Sequence, residues 1–114
     1  MSVATIPFVR VLYPPTSAKK SEGGQDVIGI KRAVSRAGYW PWTQFDDGYY
    51  DTFSKAVAKL KKDHGVKPAN GVWTEPTQNV VKRLKAVDHP GELAFDATAI
   101  ELLQAEFNAR RIPR

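Results

Sequence analysis

Apolar residues recur at intervals of three and four positions in several separate segments of this chain, and turn-forming residues bound each segment. In the first segment they are Val27, Ile30, Val34 and Ala37. This spacing places apolar side chains along one face of an α-helix. Because amphipathic helices bury such faces against one another, the pattern predicts an all-α bundle.

The same spacing predicts four helices of about 12 residues each. The first helix is predicted at 26–37 and the second at 52–64, with Asp51 as its N-cap. The third follows Thr74 as its N-cap and has Pro76 in its first turn, and the fourth is predicted at 97–109 with Asp96 as its N-cap. Gly38 and Gly65 follow the first two helices, where a left-handed residue commonly ends a helix. The core is predicted to contain Val27, Ile30, Val34, Phe53, Val57, Leu60, Val81 and Leu84, with Val80 and Val87 on the same face of the third helix and Ile100, Leu103 and Phe107 from the fourth.

Residues 1–23 differ in composition from the rest of the chain. "TIPFVRVLYPP" is rich in β-branched and aromatic residues, and its prolines exclude a helix, so it is predicted to be an extended arm followed by a linker. A lone strand must lie on the body or on another chain. We predict an assembly element separate from the bundle, with Phe8, Val11 and Tyr13 as its anchors on a neighbouring subunit.

Seven aromatic residues lie in "GYWPWTQFDDGYYDTF", residues 38–53. Tyr39 lies at a helix end and Phe53 on a helix face, so both are predicted to be core residues. Phe45 and Tyr50 are also predicted to be core residues. Trp40 and Trp42 flank Pro41 and belong to no helical period, so they are either core residues or exposed rings that stack on a sugar or a partner. Trp73 lies beside the next turn and, if Trp40 and Trp42 are exposed, is expected to share their surface. Asp46 and Asp47 are either turn residues or acceptors for sugar hydroxyls.

The chain has a net charge of +5 and no cysteine. This charge favours acidic partners such as an anionic wall polymer. Nucleic acid is disfavoured, because the cations lack interleaved aromatics and Gly-rich elements. The stripe of Lys55, Lys59 and Lys62 is predicted to be a solvated helix face. No apolar run is long enough for a membrane span, and no secretory signal is recognised.

Catalytic signatures are lacking in the sequence. Its two histidines, His64 and His89, have no zinc-type spacing, and no serine lies in a G-x-S-x-G elbow. The carboxylates fall at predicted caps or on helix surfaces. We therefore expect a protein that is not an enzyme and that binds neither a metal nor a cofactor.

Several short motifs occur in the order and spacing of one known family. They are Gly24-Gln25-Asp26-Val27, Gly38-Tyr39, Asp47-Gly48-Tyr49-Tyr50, Ala56-Val57, His64-Gly65, and Gly71 with Thr77. With these motifs, residues 24–84 resemble the small three-helix peptidoglycan-binding domain of cell-wall hydrolases and phage lysins. The chain departs from the family at Lys31 and Lys61, where glutamine is usual, and at Thr74, where a glycine is usual.

The resemblance implies a three-helix peptidoglycan-binding-like domain over residues 24–88. The arm at 1–23 and the further helix in 89–114, which is predicted to pack on this domain, lie outside the resemblance. The resemblance also implies a non-catalytic module that binds peptidoglycan or another anionic wall polymer. The residues expected to contact this ligand are Trp40, Trp42, Asp47, Tyr49 and Trp73.

An alternative function uses the same fold as a structural part of a phage particle, either capsid decoration or a tail component. Residues 1–15 would then contact capsid or tail proteins. A wall-binding chain without a catalytic domain or a secretory signal fits a virion protein, or one released on lysis, better than an ordinary secreted enzyme. Both hypotheses stay open at the level of the sequence.

Overall fold

The computed structural model describes residues 6–42 and 44–111. Its elements are α1 (Gln25–Arg36), α2 (Asp51–Asp63), α3 (Glu75–Arg83) and α4 (Ala97–Arg111). The predicted all-α class is therefore confirmed, and so is the additional C-terminal helix. Within the described ranges, β-pairing is limited to three isolated antiparallel bridges.

Glycine ends α1 and α2 in the predicted way. Gly38 adopts φ +94° and Gly65 adopts φ +70°, both in the left-handed region. The backbone N–H of Gly38 donates to the carbonyl of Ser35, and that of Tyr39 donates to the carbonyl of Val34, each at 3.0 Å. These bonds satisfy carbonyl groups that the end of α1 would leave without partners.

The predicted N-caps have three different outcomes. Asp96 caps α4 as expected, since its Oδ1 accepts a hydrogen bond at 3.0 Å from the backbone N–H three residues later. Asp51 is instead the first residue of α2, because the extended Tyr50 occupies the N-cap position. Thr74 is the N-cap of α3 by its backbone, but its hydroxyl pairs with the hydroxyl of Thr77 at 2.9 Å.

The hydrophobic core contains nearly all of the predicted residues. Buried are Val27, Ile30, Val34, Phe53, Val57, Leu60, Val80, Val81 and Leu103, while Ile100 packs partly buried against them. Leu84 also packs partly buried against the core, whereas Val87 is 61% exposed, so the predicted core position of Val87 is corrected. The reason is that α3 ends at Arg83 and the chain continues extended, which breaks the helical period.

The fourth helix packs closely on the first. A Cβ atom on Gly29 would lie 2.5 Å from Leu103 Cδ1 and 2.8 Å from the carbonyl oxygen of Ala99. Both atoms belong to α4, and the second belongs to its backbone. Glycine at this position therefore allows the two helices to approach more closely than any other residue would.

The N-terminal arm lies on the body of the same chain. Leu12 is fully buried and forms two backbone hydrogen bonds with Trp73, at 3.0 and 2.9 Å. Farther back along the arm, the carbonyl of Pro7 accepts a bond at 2.9 Å from the amide of Gln78, itself buried. The prediction of an arm separate from the bundle is therefore wrong, since the arm completes the core.

This packing also changes the roles of the three predicted anchors. Phe8 packs partly buried against the core, and Val11 is partly buried. Tyr13 is 48% exposed, and the ammonium of Lys19 lies 5.4 Å from the centre of its ring. Of the three, Tyr13 keeps the largest exposed apolar surface.

Lys61 is a buried cation between α2 and the turn that follows it. Its ammonium donates hydrogen bonds to Asn70 Oδ1 and to the carbonyl of Val72, each at 2.8 Å. Burial lowers the pKa of Lys61. The side chain therefore holds the turn between α2 and α3 against the body.

Candidate functional site

The aromatic rings of residues 38–53 divide between the core and the surface. Tyr49 is fully buried and Phe53 nearly so, and their rings meet edge to face at 5.6 Å. Trp42 is 60% exposed and Tyr50 47% exposed. Trp40 lies between these groups, partly buried with its ring edge-on to Phe53 at 5.2 Å. The expectation that Tyr50 is a core residue is thus corrected, because as the N-cap of α2 it lies outside the buried face of that helix.

Two predicted ligand contacts are core residues instead. Trp73 is fully buried, and its indole N–H donates to Gln78 Oε1 at 3.3 Å. Tyr49 is fully buried, and its hydroxyl donates to the carbonyl of Gly71 at 2.6 Å. Burial raises the pKa of the Tyr49 phenol well above its ordinary value. Neither ring presents a face to a ligand, so both are removed from the predicted site.

Four of the aromatic rings of residues 38–53 line one opening, which we call the aromatic cleft. It has a volume of about 380 Å³ and is lined by Lys31, Trp40, Trp42, Asp46, Tyr50, Thr52 and Phe53. The backbone carbonyl of Trp42 accepts a hydrogen bond at 2.8 Å from the hydroxyl of Ser35 on α1. This bond fixes the loop that carries both tryptophans to the side of α1.

An ion pair between a buried lysine and an exposed aspartate lies in the wall of the aromatic cleft. The ammonium of Lys31 bonds to Asp46 Oδ1, and the side chain of Lys31 is 5% exposed, whereas that of Asp46 is 66% exposed. The same ammonium lies 5.4 Å from the centre of the Tyr50 ring and 5.7 Å from that of Phe53. The hydrogen bond from Lys31 lowers the pKa of Asp46, although burial opposes this shift. Asp46 therefore presents an ionised carboxylate beside exposed aromatic faces.

Of the two adjacent aspartates, Asp47 is the predicted ligand contact, but Asp46 is the one that lines the aromatic cleft. Asp47 is exposed and does not line the aromatic cleft. Its backbone carbonyl accepts the N–H of Gly24 at 3.0 Å, in the bridge that pairs Gly23 with Gly48. Asp47 is thus a turn residue, and Asp46 is the carboxylate that faces the aromatic rings.

Lys31 is not among the predicted site residues, because lysine is a charged residue that is usually exposed. The spacing of Lys31 from the apolar residues of α1 could have predicted that it is buried. Val27, Ile30, Lys31 and Val34 occupy positions i, i+3, i+4 and i+7, which form one face of a helix. The long alkyl stem of a lysine covers apolar surface while the ammonium reaches a polar partner.

The described residues contain no group of three or more histidine, cysteine, aspartate or glutamate side chains that could hold a metal ion. None of the four helices combines the length and apolarity needed to cross a membrane. No protein-family model matches the chain, and comparisons with curated proteins and with solved structures give no match. The case for a function therefore depends on the geometry of the aromatic cleft and on the sequence resemblance.

Proposed function

We propose that this protein is a non-catalytic module that binds cell-wall glycan in the aromatic cleft. The observation that carries the proposal is the meeting of exposed aromatic rings, Trp42 and Tyr50, with the ionised Asp46 in one cleft. The apolar face of a sugar ring stacks on an aromatic side chain, and its hydroxyls donate hydrogen bonds to a carboxylate. The resemblance of residues 24–84 to peptidoglycan-binding domains suggests the class of glycan.

The carboxylates of the cleft favour binding over hydrolysis. Most glycoside hydrolases use two carboxyl groups on opposite sides of the scissile bond. The aromatic cleft is lined by one, Asp46, and that group is held by Lys31. A carboxylate with a lowered pKa is a poor general acid near neutral pH, because it is almost always ionised.

The alternative of a structural virion protein loses its main support. That hypothesis depended on an arm that does not pack on its own chain and instead binds a neighbouring subunit. Leu12 instead fills the core of its own chain. We therefore propose glycan binding alone.

Sedimentation with purified, insoluble peptidoglycan tests the proposal. Trp42→Ala is the sharpest variant, because its ring is the more exposed of the two tryptophans and Trp40 also supports Phe53. We expect about a tenfold loss of affinity, which corresponds to the loss of one stacked ring at about 1.4 kcal/mol. Tyr13→Ala is the matched control, since it removes an exposed ring outside the cleft. Equal retention of Trp42→Ala and the parent protein, or no retention of the parent, would contradict the proposal.

A further inference from the structure

The buried ammonium beside the turn between α2 and α3 bonds to neutral groups. Among the described residues three charged side chains are buried, and two of them have a partner of opposite charge, in the pairs Asp26 with Arg10 and Lys31 with Asp46. The third, Lys61, is 1% exposed and bonds to the amide oxygen of Asn70 and to a backbone carbonyl. Because a buried charge is costly without an opposite charge beside it, a carboxylate at position 70 would suit Lys61 better than an amide does.

The residue after Asn70 is a glycine, and the packing of the turn requires it. A Cβ atom on Gly71 would lie 2.8 Å from Cβ of Ser54 and 2.9 Å from the carbonyl oxygen of Ser54 on α2. Because glycine carries no side chain, its backbone nitrogen is the least hindered one that can follow an asparagine. In an Asn-Gly sequence this nitrogen can attack the side-chain amide and release ammonia. Packing against α2 thus preserves a chemically labile pair.

The side chain of Asn70 is folded back along the main chain. Its Oδ1 accepts a hydrogen bond at 3.2 Å from the backbone N–H of Val72, two residues later, which makes an Asx turn. The ring closed by this bond contains both the amide carbon of Asn70 and the backbone nitrogen of Gly71. Asn70 is exposed, so water reaches this amide.

Two donors lie on the atom that becomes negative during such an attack. When a nitrogen adds to the amide carbon of Asn70, the charge develops on Oδ1. The ammonium of Lys61 lies 2.8 Å from this oxygen, and the backbone nitrogen of Val72 lies 3.2 Å from it. Donors at a developing oxyanion stabilise the transition state, and removal of one from an enzyme slows its reaction about a hundredfold to a thousandfold. Lys61 is therefore placed to assist the reaction.

From this geometry we infer that Asn70 is a site of spontaneous deamidation in the folded protein, assisted by the buried ammonium of Lys61. The nitrogen of Gly71 forms a bond to Cγ of Asn70 and loses its proton, while the bond from Cγ to Nδ2 breaks and ammonia leaves with that proton. Water then opens the resulting succinimide and leaves aspartate or isoaspartate at position 70. The aspartate product gives Lys61 an anionic partner. This reaction is independent of the proposed glycan binding.

Peptide mapping of the folded full chain after incubation at mildly alkaline pH tests the inference. Asn79 and Asn108 are internal controls, because both are exposed but lie in helices, where the next backbone N–H is already hydrogen-bonded. We expect Asn70 to convert with uptake of an oxygen from labelled water, at least as fast as in the same chain unfolded in urea, whereas the two controls stay intact. An intact Asn70 in the folded protein, over a time in which the unfolded chain converts it, would overturn the inference.

Lys61→Met separates assistance by the ammonium from the intrinsic lability of the Asn-Gly pair. Methionine keeps an unbranched apolar stem and removes the charge. We expect the ratio of the folded to the unfolded rate at Asn70 to fall at least about tenfold. An unchanged ratio in a folded variant would overturn the role of Lys61. If circular dichroism shows that the variant is unfolded, the parent protein decides, since slower conversion in its folded than in its unfolded state would overturn that role.

Asn70→Asp supplies the aspartate product directly and tests what it does to the turn. Burial lowers the pKa of the Lys61 ammonium, and a carboxylate at hydrogen-bond distance should raise it. NMR titration of Lys61 in Asn70→Asp and in Asn70→Gln measures this effect, because glutamine keeps a neutral amide and resists cyclisation. We expect the higher pKa in Asn70→Asp. Equal values in the two variants would overturn the pairing of the product with Lys61.

Discussion

Arg10 in the arm and Asp26 in the first turn of α1 form a two-pronged ion pair, with contacts of 2.9 and 3.0 Å. The carboxylate side chain is only 1% exposed, and the guanidinium is 17% exposed. Arg10 also donates to the carbonyl of Gly23 at 2.7 Å. The arm is therefore joined to the body by a charged contact as well as by the apolar contact at Leu12.

Arg10→Ala should strongly destabilise the protein, because it leaves the charge of Asp26 buried without a partner. We expect a loss of about 3–5 kcal/mol in the free energy of unfolding, measured by urea denaturation. Lys59→Ala is the control, since it breaks an exposed ion pair with Asp63 on α2 and should cost less than about 1 kcal/mol. Similar losses for the two variants would show that the contact of Arg10 with Asp26 contributes no more than a surface pair.

Leu12→Ala should destabilise the protein although it lies in the arm. Leu12 is fully buried against the core, so its truncation should cost about 2–5 kcal/mol. The neighbouring Tyr13→Ala removes a larger side chain that is 48% exposed and should cost about 0.5 kcal/mol. Thermal and urea unfolding of both variants measure the difference. If Leu12→Ala is as stable as Tyr13→Ala, the arm does not complete the core.

Lys31→Met should change how Asp46 titrates. The folded-state pKa of Asp46 lies below its ordinary value of 3.8, chiefly because Lys31 donates a hydrogen bond to it. A lowered carboxyl pKa means that ionised Asp46 adds stability above about pH 4, and that this contribution is lost as the pH falls through the lowered pKa. The effect on stability is small, because the Asp46 side chain is 66% exposed.

The direct measurement is an NMR titration of the Asp46 carboxyl group in both proteins. The pKa should rise in Lys31→Met, whereas Lys55→Met, which removes the partner of Asp51 on the exposed side of α2, should leave it unchanged. Methionine keeps an unbranched apolar stem against Tyr50 and Phe53, so packing is largely preserved. An unchanged Asp46 pKa in Lys31→Met would show that the ion pair does not control this carboxylate.

The features that could be predicted from the sequence are those set by residues close together in the chain. Helical periodicity located all four helices, and Trp42 was considered as an exposed ring because its loop follows no helical period. The burial of Trp73 had no local signal, since its backbone pairs with Leu12, far away in the chain, and both side chains belong to the core. Lys31 is absent from the predicted site because lysine usually prefers water, although its position lies on the apolar face of α1. Pairing between distant residues, and cations neutralised by distant carboxylates, are the features that periodicity cannot detect.

The two attachments of the arm fix its length between Arg10 and Leu12. Arg10 is held by Asp26 and Leu12 by Trp73, with one residue between the two anchors. An inserted residue there would shift the alternation of the extended chain and turn either the guanidinium or the leucine away from its site. The exposed turn from Thr16 to Lys20 is held by hydrogen bonds within itself, between Thr16 and Lys19, and not by the core. We therefore expect the chain to accept added residues, an epitope or a label after Lys20 with little effect on the fold.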